Sequence, residues 1–167
     1  VQTEHMDEAE REAFLQRFEG NPGMNLSDII HMEIEVEEES SLVGFCVLGG
    51  IFSEGIDLKE DSLIGALIVG TGLPQVCTER EIIRGYFEEN GENGFDYAYV
   101  YPGIIKVLQA AGRCIRTEKD KGVVLLLDDR YFTNKYKNLL PREWFLNILV
   151  ESEEGIKNTC QNFWEEV

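Results

Sequence analysis

An α/β fold with a mainly parallel sheet flanked by helices is predicted for this 167-residue chain, on three observations. First, short apolar runs without helical period stand at LVGFCVLGG (42–50), ALIVG (66–70) and VVLLLDD (123–129), as expected of strands buried on both faces of a parallel sheet. Second, amphipathic segments lie between and after them. Third, the two kinds of segment alternate, which is the grammar of an α/β domain. The length suits one domain, and 43% apolar with 10% aromatic residues is ordinary globular composition.

The elements follow in order. The start, Val1-Gln2-Thr3, reads as the tail of something that began earlier. Asp7 with Glu10 three residues on forms a capping box for a first helix; Phe14 and Phe18 then repeat at i, i+4, and Gly20-Asn21-Pro22 is a stop. The same stretch, DEAE (7–10), looks like an acidic magnesium box, but such a box follows an apolar strand and VQTEHM is not one. Residues 24–41 are expected to be an acidic insertion or excursion, because Met32, Ile34 and Val36 alternate with Glu33, Glu35 and Glu37. Thr78 and Glu81 suggest a second capping box, with Gly91 past that helix's end. A further helix runs from about Gly103 to Arg116, and a last one, from near Ser152, puts Ile156, Thr159, Cys160 and Phe163 on one side.

Several chemistries are disfavoured. Cys46, Cys77, Cys114 and Cys160 have no C-x-x-C spacing, so mostly buried, reduced thiols are expected, with no metal bound by this chain. GTGLPQ (70–75) begins like a dinucleotide fingerprint, but Gln75 takes the third glycine position and Pro74 spoils the helix entry. None of the 16 glycines precedes a lysine, which excludes a G-x-x-x-x-G-K-[ST] phosphate loop. No apolar run reaches the roughly 18 residues of a membrane span, and VQTEHMDEAE lacks the features of a signal peptide. No membrane partner and a cytoplasmic location are expected.

A net charge of -17 argues against non-specific nucleic-acid binding, yet the charge is unevenly spread. Residues 1–61 hold 16 acids and 3 bases, whereas 103–142 hold 9 bases and 4 acids. Within the cationic region, at 100° per residue, Ile104, Ile105, Leu108, Ala111, Gly112 and Ile115 fall on one face of the helix. Lys106, Gln109, Arg113 and Arg116 share a sector of about 80° opposite. Guanidinium forks suit phosphate oxygens, and Ala110, Ala111 and Gly112 keep the helix slim beside them. Upstream, GGIFSEGID (49–57) is a glycine-rich turn at the C-terminal edge of the expected sheet, where ligands of open α/β sheets bind. Glu54 and Asp57 there are candidates for positioning a ribose, a water or an arginine.

Taken together, GGIFSEGID resembles motif V, and QAAGRCIR (109–116) with the following TEKDKGVVLLLDDRY resembles motif VI and its trailing strand, in the XPD/DinG-type helicases of superfamily 2. The resemblance runs from about Met6 to Pro141 and implies a RecA-like three-layer domain, the second of two motor domains, in a fragment of a larger protein. It implies that Arg113 and Arg116 reach the γ-phosphate of ATP across an interdomain cleft, and that Gln109 helps couple the cleft to closure. Gly55 and Asp57 match motif V positions linking the nucleotide and DNA sites, with Glu54 and Ser53 alongside; Ser53 is the DNA-side candidate. Arg130 matches a structural position, paired with Asp128 or Asp129. The implied partners are the first RecA-like domain of the same polypeptide, ATP and single-stranded DNA. ATP and Mg2+ would be held mainly by that first domain, an iron–sulfur cluster would lie only outside this chain, and a bacterial, nucleoid-associated setting is implied. Alone, the chain should be inactive. The competing expectations are a non-enzymatic module that keeps the fold and binds a protein or nucleic acid, and a small-molecule nucleotide enzyme using the GTGLPQ turn.

Overall fold

The computed structural model describes residues 1–3, 6–18, 42–54, 63–115 and 120–165, with the side chains of Ser53 and Glu54 outside that description. The elements are α1 (Glu8–Gln16), α2 (Ile51–Glu54), β1 (Gly65–Val69), α3 (Thr78–Glu89), a π-helical turn (Asp96–Val100) leading into α4 (Tyr101–Ala111), and β2 (Val123–Leu127). A 3-10 turn (Asp129–Phe132), α5 (Asn134–Lys137), a second 3-10 turn (Arg142–Leu146) and α6 (Glu153–Glu165) complete them. The strands pair in the same direction: Val123 N donates to Ile64 O at 3.0 Å and Gly70 N to Leu127 O at 3.1 Å. The class is therefore α/β, helix-rich, with a small parallel sheet. Two compact units divide the chain, 1–68 with 105–124 and 69–104 with 125–167.

In the first unit, α1 begins as its sequence dictates. The Asp7 carboxylate accepts from Glu10 N at 2.9 Å and the Glu10 carboxylate from Asp7 N at 3.0 Å, a reciprocal cap of about 1 kcal/mol. Phe14 is buried, with ring centroids 5.4 Å from Phe18 and 4.6 Å from Phe52. The expected stop at Gly20-Asn21-Pro22 and the acidic stretch 24–41 lie outside the described residues. The run 42–47 is not a strand, contrary to expectation: Val43, Phe45 and Val47 are exposed. Two of its backbone groups bond instead to Gln2, whose N donates to Phe45 O at 2.8 Å and whose Oε1 accepts from Val47 N at 2.9 Å. One glutamine satisfies an extended segment locally, but a strand needs a ladder.

In the second unit, α3 differs from its expected start. Cys77, not Thr78, is the N-cap, and it makes no side-chain cap; the Glu81 carboxylate accepts from Tyr99 OH at 2.5 Å instead. A tertiary acceptor has displaced the local capping box. The helix ends as read, with Gly91 at φ 80° and its N–H on Glu88 O at 3.1 Å. The π-helical turn buries Asp96, Ala98, Tyr99 and Val100. Arg80 donates to Ala98 O at 2.7 Å, Phe87 stacks on Tyr97 at 3.8 Å, and Lys135 pairs with Asp96. In α6, Ser152 Oγ accepts from Gly155 N at 3.1 Å, and Ile156, Thr159 and Cys160 are half-buried with Phe163 at the margin, as the periodicity predicts.

Burial of the sheet is thinner than the sequence suggests. Leu67 and Val69 of β1 are exposed while Ile68 is buried, and β2 is half-buried up to Leu127. With two strands among the described residues, both are edges. The cysteines are also more open than expected: all four are free, with Cys46 and Cys77 exposed and only Cys114 fully buried.

After β2, Arg130 binds Asp128 through two of its three guanidinium nitrogens, Nε to Oδ1 at 2.8 Å and Nη2 to Oδ2 at 2.7 Å. This bidentate pair holds the Asp128 carboxyl down to about 2 and raises the arginine. Of the two partners expected for Arg130, the structure selects Asp128. Because the folded-state value lies below the ordinary 3.8, the stabilisation is fully present above about pH 4 and is lost as pH falls towards 2. Arg130 is 42% exposed, so screening reduces the contribution to about 1 kcal/mol. Asp128→Asn should lower unfolding stability by about that amount at neutral pH, and the gap should close near pH 2. Urea titrations across this range test it; a gap independent of pH would remove the ion pair as its cause.

Candidate functional site

Helix α4 places the expected cationic stripe, but its core face is turned from the predicted one. Ile104, Val107, Ala111 and Cys114 are 4% exposed or less, at spacings of three and four, whereas Ile105 and Ile115 are 54% and 45% exposed and Gly112 is open. Leu108 is half-buried. The helix is apolar around most of its circumference, so the period alone could not place the centre of the buried face, and Val107 was missed. The polar sector is unaffected, with Gln109 exposed and Lys106 and Arg113 half-buried.

The helix also stops earlier than predicted. It ends at Ala111, and the chain tightens through Gly112 N to Leu108 O at 2.9 Å, Arg113 N to Ala110 O at 3.1 Å and Cys114 N to Ala111 O at 3.0 Å. Arg113 therefore sits in the closing turn. The turn is anchored by Cys114, whose Sγ donates to Leu63 O at 3.5 Å, and burial pushes this thiol up, as for an inert packing cysteine. Gly122 makes room for it, since a Cβ there would stand 2.4 Å from Cys114 Sγ. Arg116 lies outside the described residues.

The glycine-rich turn meets α4 within the first unit. Gly49 has φ 77°, and a Cβ built on it would lie 2.7, 2.8 and 2.9 Å from Cδ, Cε and Nζ of Lys106. The lysine thus fills a notch that only glycine leaves open. Gly50 N closes the turn on Val47 O at 2.9 Å, and α2 follows at once, carrying the backbones of Ser53 and Glu54. Gly55 and Asp57 lie outside the described residues. Of the residues singled out from sequence, Gln109 and Arg113 are thus placed on or just past one helix, with Lys106 bridging to the turn that leads to the others. The sequence marks the glycines of the turn and the lysine of the stripe separately, but carries no signal of their contact.

A cavity elsewhere in the same unit, about 170 Å³, is lined by Val1, Phe14, Arg17, Phe18, Leu42, Val43 and Gly44 and includes no residue of α4. Among the described residues no group of His, Cys, Asp and Glu is arranged to hold a metal ion, and no helix is long and apolar enough to cross a membrane.

A small parallel sheet flanked by helices, with a glycine-rich turn meeting the helix that carries Gln109, defines an α/β domain of the RecA-like class. The chain belongs to the helicase C-terminal domain family, whose model matches residues 1–146, and it is a C-terminal domain of the XPD/DinG type. It is 39% identical over 93 residues to the ATP-dependent DNA helicase DinG of Photobacterium profundum, a match covering 54% of this chain and 13% of that protein. It is 31% identical over 108 residues to the general transcription and DNA repair factor IIH helicase subunit XPD of Dictyostelium discoideum, covering 61% and 13%. The ATP-dependent DNA helicase CHL1 of Vanderwaltozyma polyspora is 29% identical over 128 residues, covering 70% and 15%. The chain thus matches about one-seventh of the length of these relatives.

Proposed function

We propose that this chain is the second motor domain of an ATP-dependent DNA helicase and completes an interdomain ATP site. The observation that carries the reading is the contact of Lys106 on Gly49, which joins the glycine-rich turn to the helix that closes just before Arg113. In this reading Arg113 and Arg116 stabilise charge on the transferring phosphoryl group, and Gln109 relays the state of the cleft. In the same reading Gly55, Asp57 and Glu54 serve nucleotide binding and Ser53 serves DNA binding. The preceding motor domain of the same polypeptide supplies the phosphate loop and the carboxylates for Mg2+, since this sequence has no G-K loop. Any iron–sulfur cluster would belong to that other part. ATP-driven closure and reopening of the two domains would move them along the strand.

The test is DNA-stimulated ATPase of the full gene product, or of this chain mixed with a separately produced first motor domain. Activity is expected only when both halves are present, and this chain alone should be inactive. Arginine-dependent turnover by the isolated chain would overturn the division of labour, and an intact gene product without ATPase would leave a binding module in its place.

A further inference from the structure

Lys106 is half-buried, yet its ammonium has no hydrogen bond or ion pair with any described residue. Its stem lies in the notch above Gly49, with Nζ 2.9 Å from where a Cβ would stand, so among the described residues the side chain is held by packing and not by a counter-ion. Half-buried and without an anion among the described residues, the ammonium is left open to an anionic ligand while its stem packs on the turn. It also sits in the one cationic region of a chain of net charge -17, on the same helical sector as Gln109 and Arg113. We infer that Lys106 is a phosphate-anchoring residue that takes one phosphodiester of the single-stranded DNA; this rests on the helicase reading. Seven residues separate it from Arg113, roughly 10 Å at 1.5 Å per residue, so the two cations serve different phosphates. The arginine fork suits the reacting phosphoryl group, and a lysine point charge suits a backbone phosphate that must be gripped and released as the strand moves.

The experiment measures binding of a dye-labelled oligothymidine to the full gene product without nucleotide, as a function of salt. Lys106→Met keeps the stem over Gly49 and removes the charge, so folding is preserved while the anchor is lost. Its slope of log affinity against log salt should be shallower by about 0.7, the value for one single-strand phosphate contact, which amounts to about a threefold difference in affinity change between about 50 and 200 mM salt. Lys106→Arg should restore the slope, and the KM for ATP should be unchanged in both variants. Normal binding by the unsubstituted protein with an unaltered slope in Lys106→Met would overturn the assignment. A raised KM for ATP with an unaltered slope would move the ammonium to the nucleotide and also overturn it. Failure of the unsubstituted protein to bind DNA at all would remove the helicase reading itself, and the anchor with it, which separates the two failures.

Discussion

Arg116→Ala in the full gene product should lower ATP turnover by about 10³- to 10⁵-fold while leaving ATP binding nearly unchanged. On the proposed reading, the phosphate loop and metal of the other motor domain would neutralise the ground-state phosphates, and the guanidinium would act on the charge that develops as the phosphoryl group transfers. A contact that strengthens only in the transition state raises kcat and leaves binding alone. At about 1.4 kcal/mol per decade, the loss corresponds to roughly 4–7 kcal/mol of transition-state stabilisation. Arg113→Ala should act in the same direction, and Arg116→Lys should not rescue, because an ammonium lacks the planar fork. Single-turnover hydrolysis with a parallel nucleotide-binding titration checks this. Lost binding with normal turnover at saturation would contradict the finger role.

The largest effect on stability is expected at Gly94. A Cβ there would stand 2.1 Å from Arg84 O and 2.9 Å from Arg84 C, both backbone atoms of α3, and 2.7 Å from Glu88 Cγ. A flexible side chain can swing aside, but a helix carbonyl cannot move without breaking its own ladder. Gly94→Ala should therefore destabilise by about 3 kcal/mol, at the upper end of overpacking costs. For a chain of this size that lowers Tm by roughly 6–12 °C. Gly85 is the internal control: it lies in α3, and a Cβ there would meet nothing within 4 Å. Gly85→Ala should stabilise by about 0.5–1 kcal/mol through the unfolded-state entropy that glycine carries. Thermal unfolding of the two variants side by side tests the pair, and a loss of equal size in both would refute the steric account.

Where sequence and structure part, a tertiary contact has overruled a local signal. Thr78 and Glu81 form a good capping-box pattern, but the Glu81 carboxylate is engaged by Tyr99 across the unit. LVGFCVLGG has the composition of a buried strand, yet among its described residues no ladder forms and Leu42, Val43, Phe45 and Val47 stay exposed. Ile105 and Ile115 look like core and are open, because a helix apolar around most of its circumference does not declare which neighbour it will meet. By contrast, the Asp7–Glu10 cap, the Gly91 stop and strands β1 and β2 were readable, since each depends on residues a few positions apart.

The sequence by itself determined the α/β class, the parallel pairing of two of its three apolar runs and the family, because period, glycine placement and the order of two motifs are properties of one dimension. It also placed Lys106 and Gln109 on a single polar sector, since helical geometry fixes that from spacing alone, whereas Arg113 falls in the turn that closes the helix. Only the tertiary structure decided that Lys106 lies in the notch of Gly49, that Asp128 rather than Asp129 binds Arg130, and that Cys114 locks the turn holding Arg113. The partners in the first and last of these contacts are dozens of residues apart. Even for Arg130, with two carboxylates at nearly equal sequence distance, the choice follows from which one the turn after β2 directs at it.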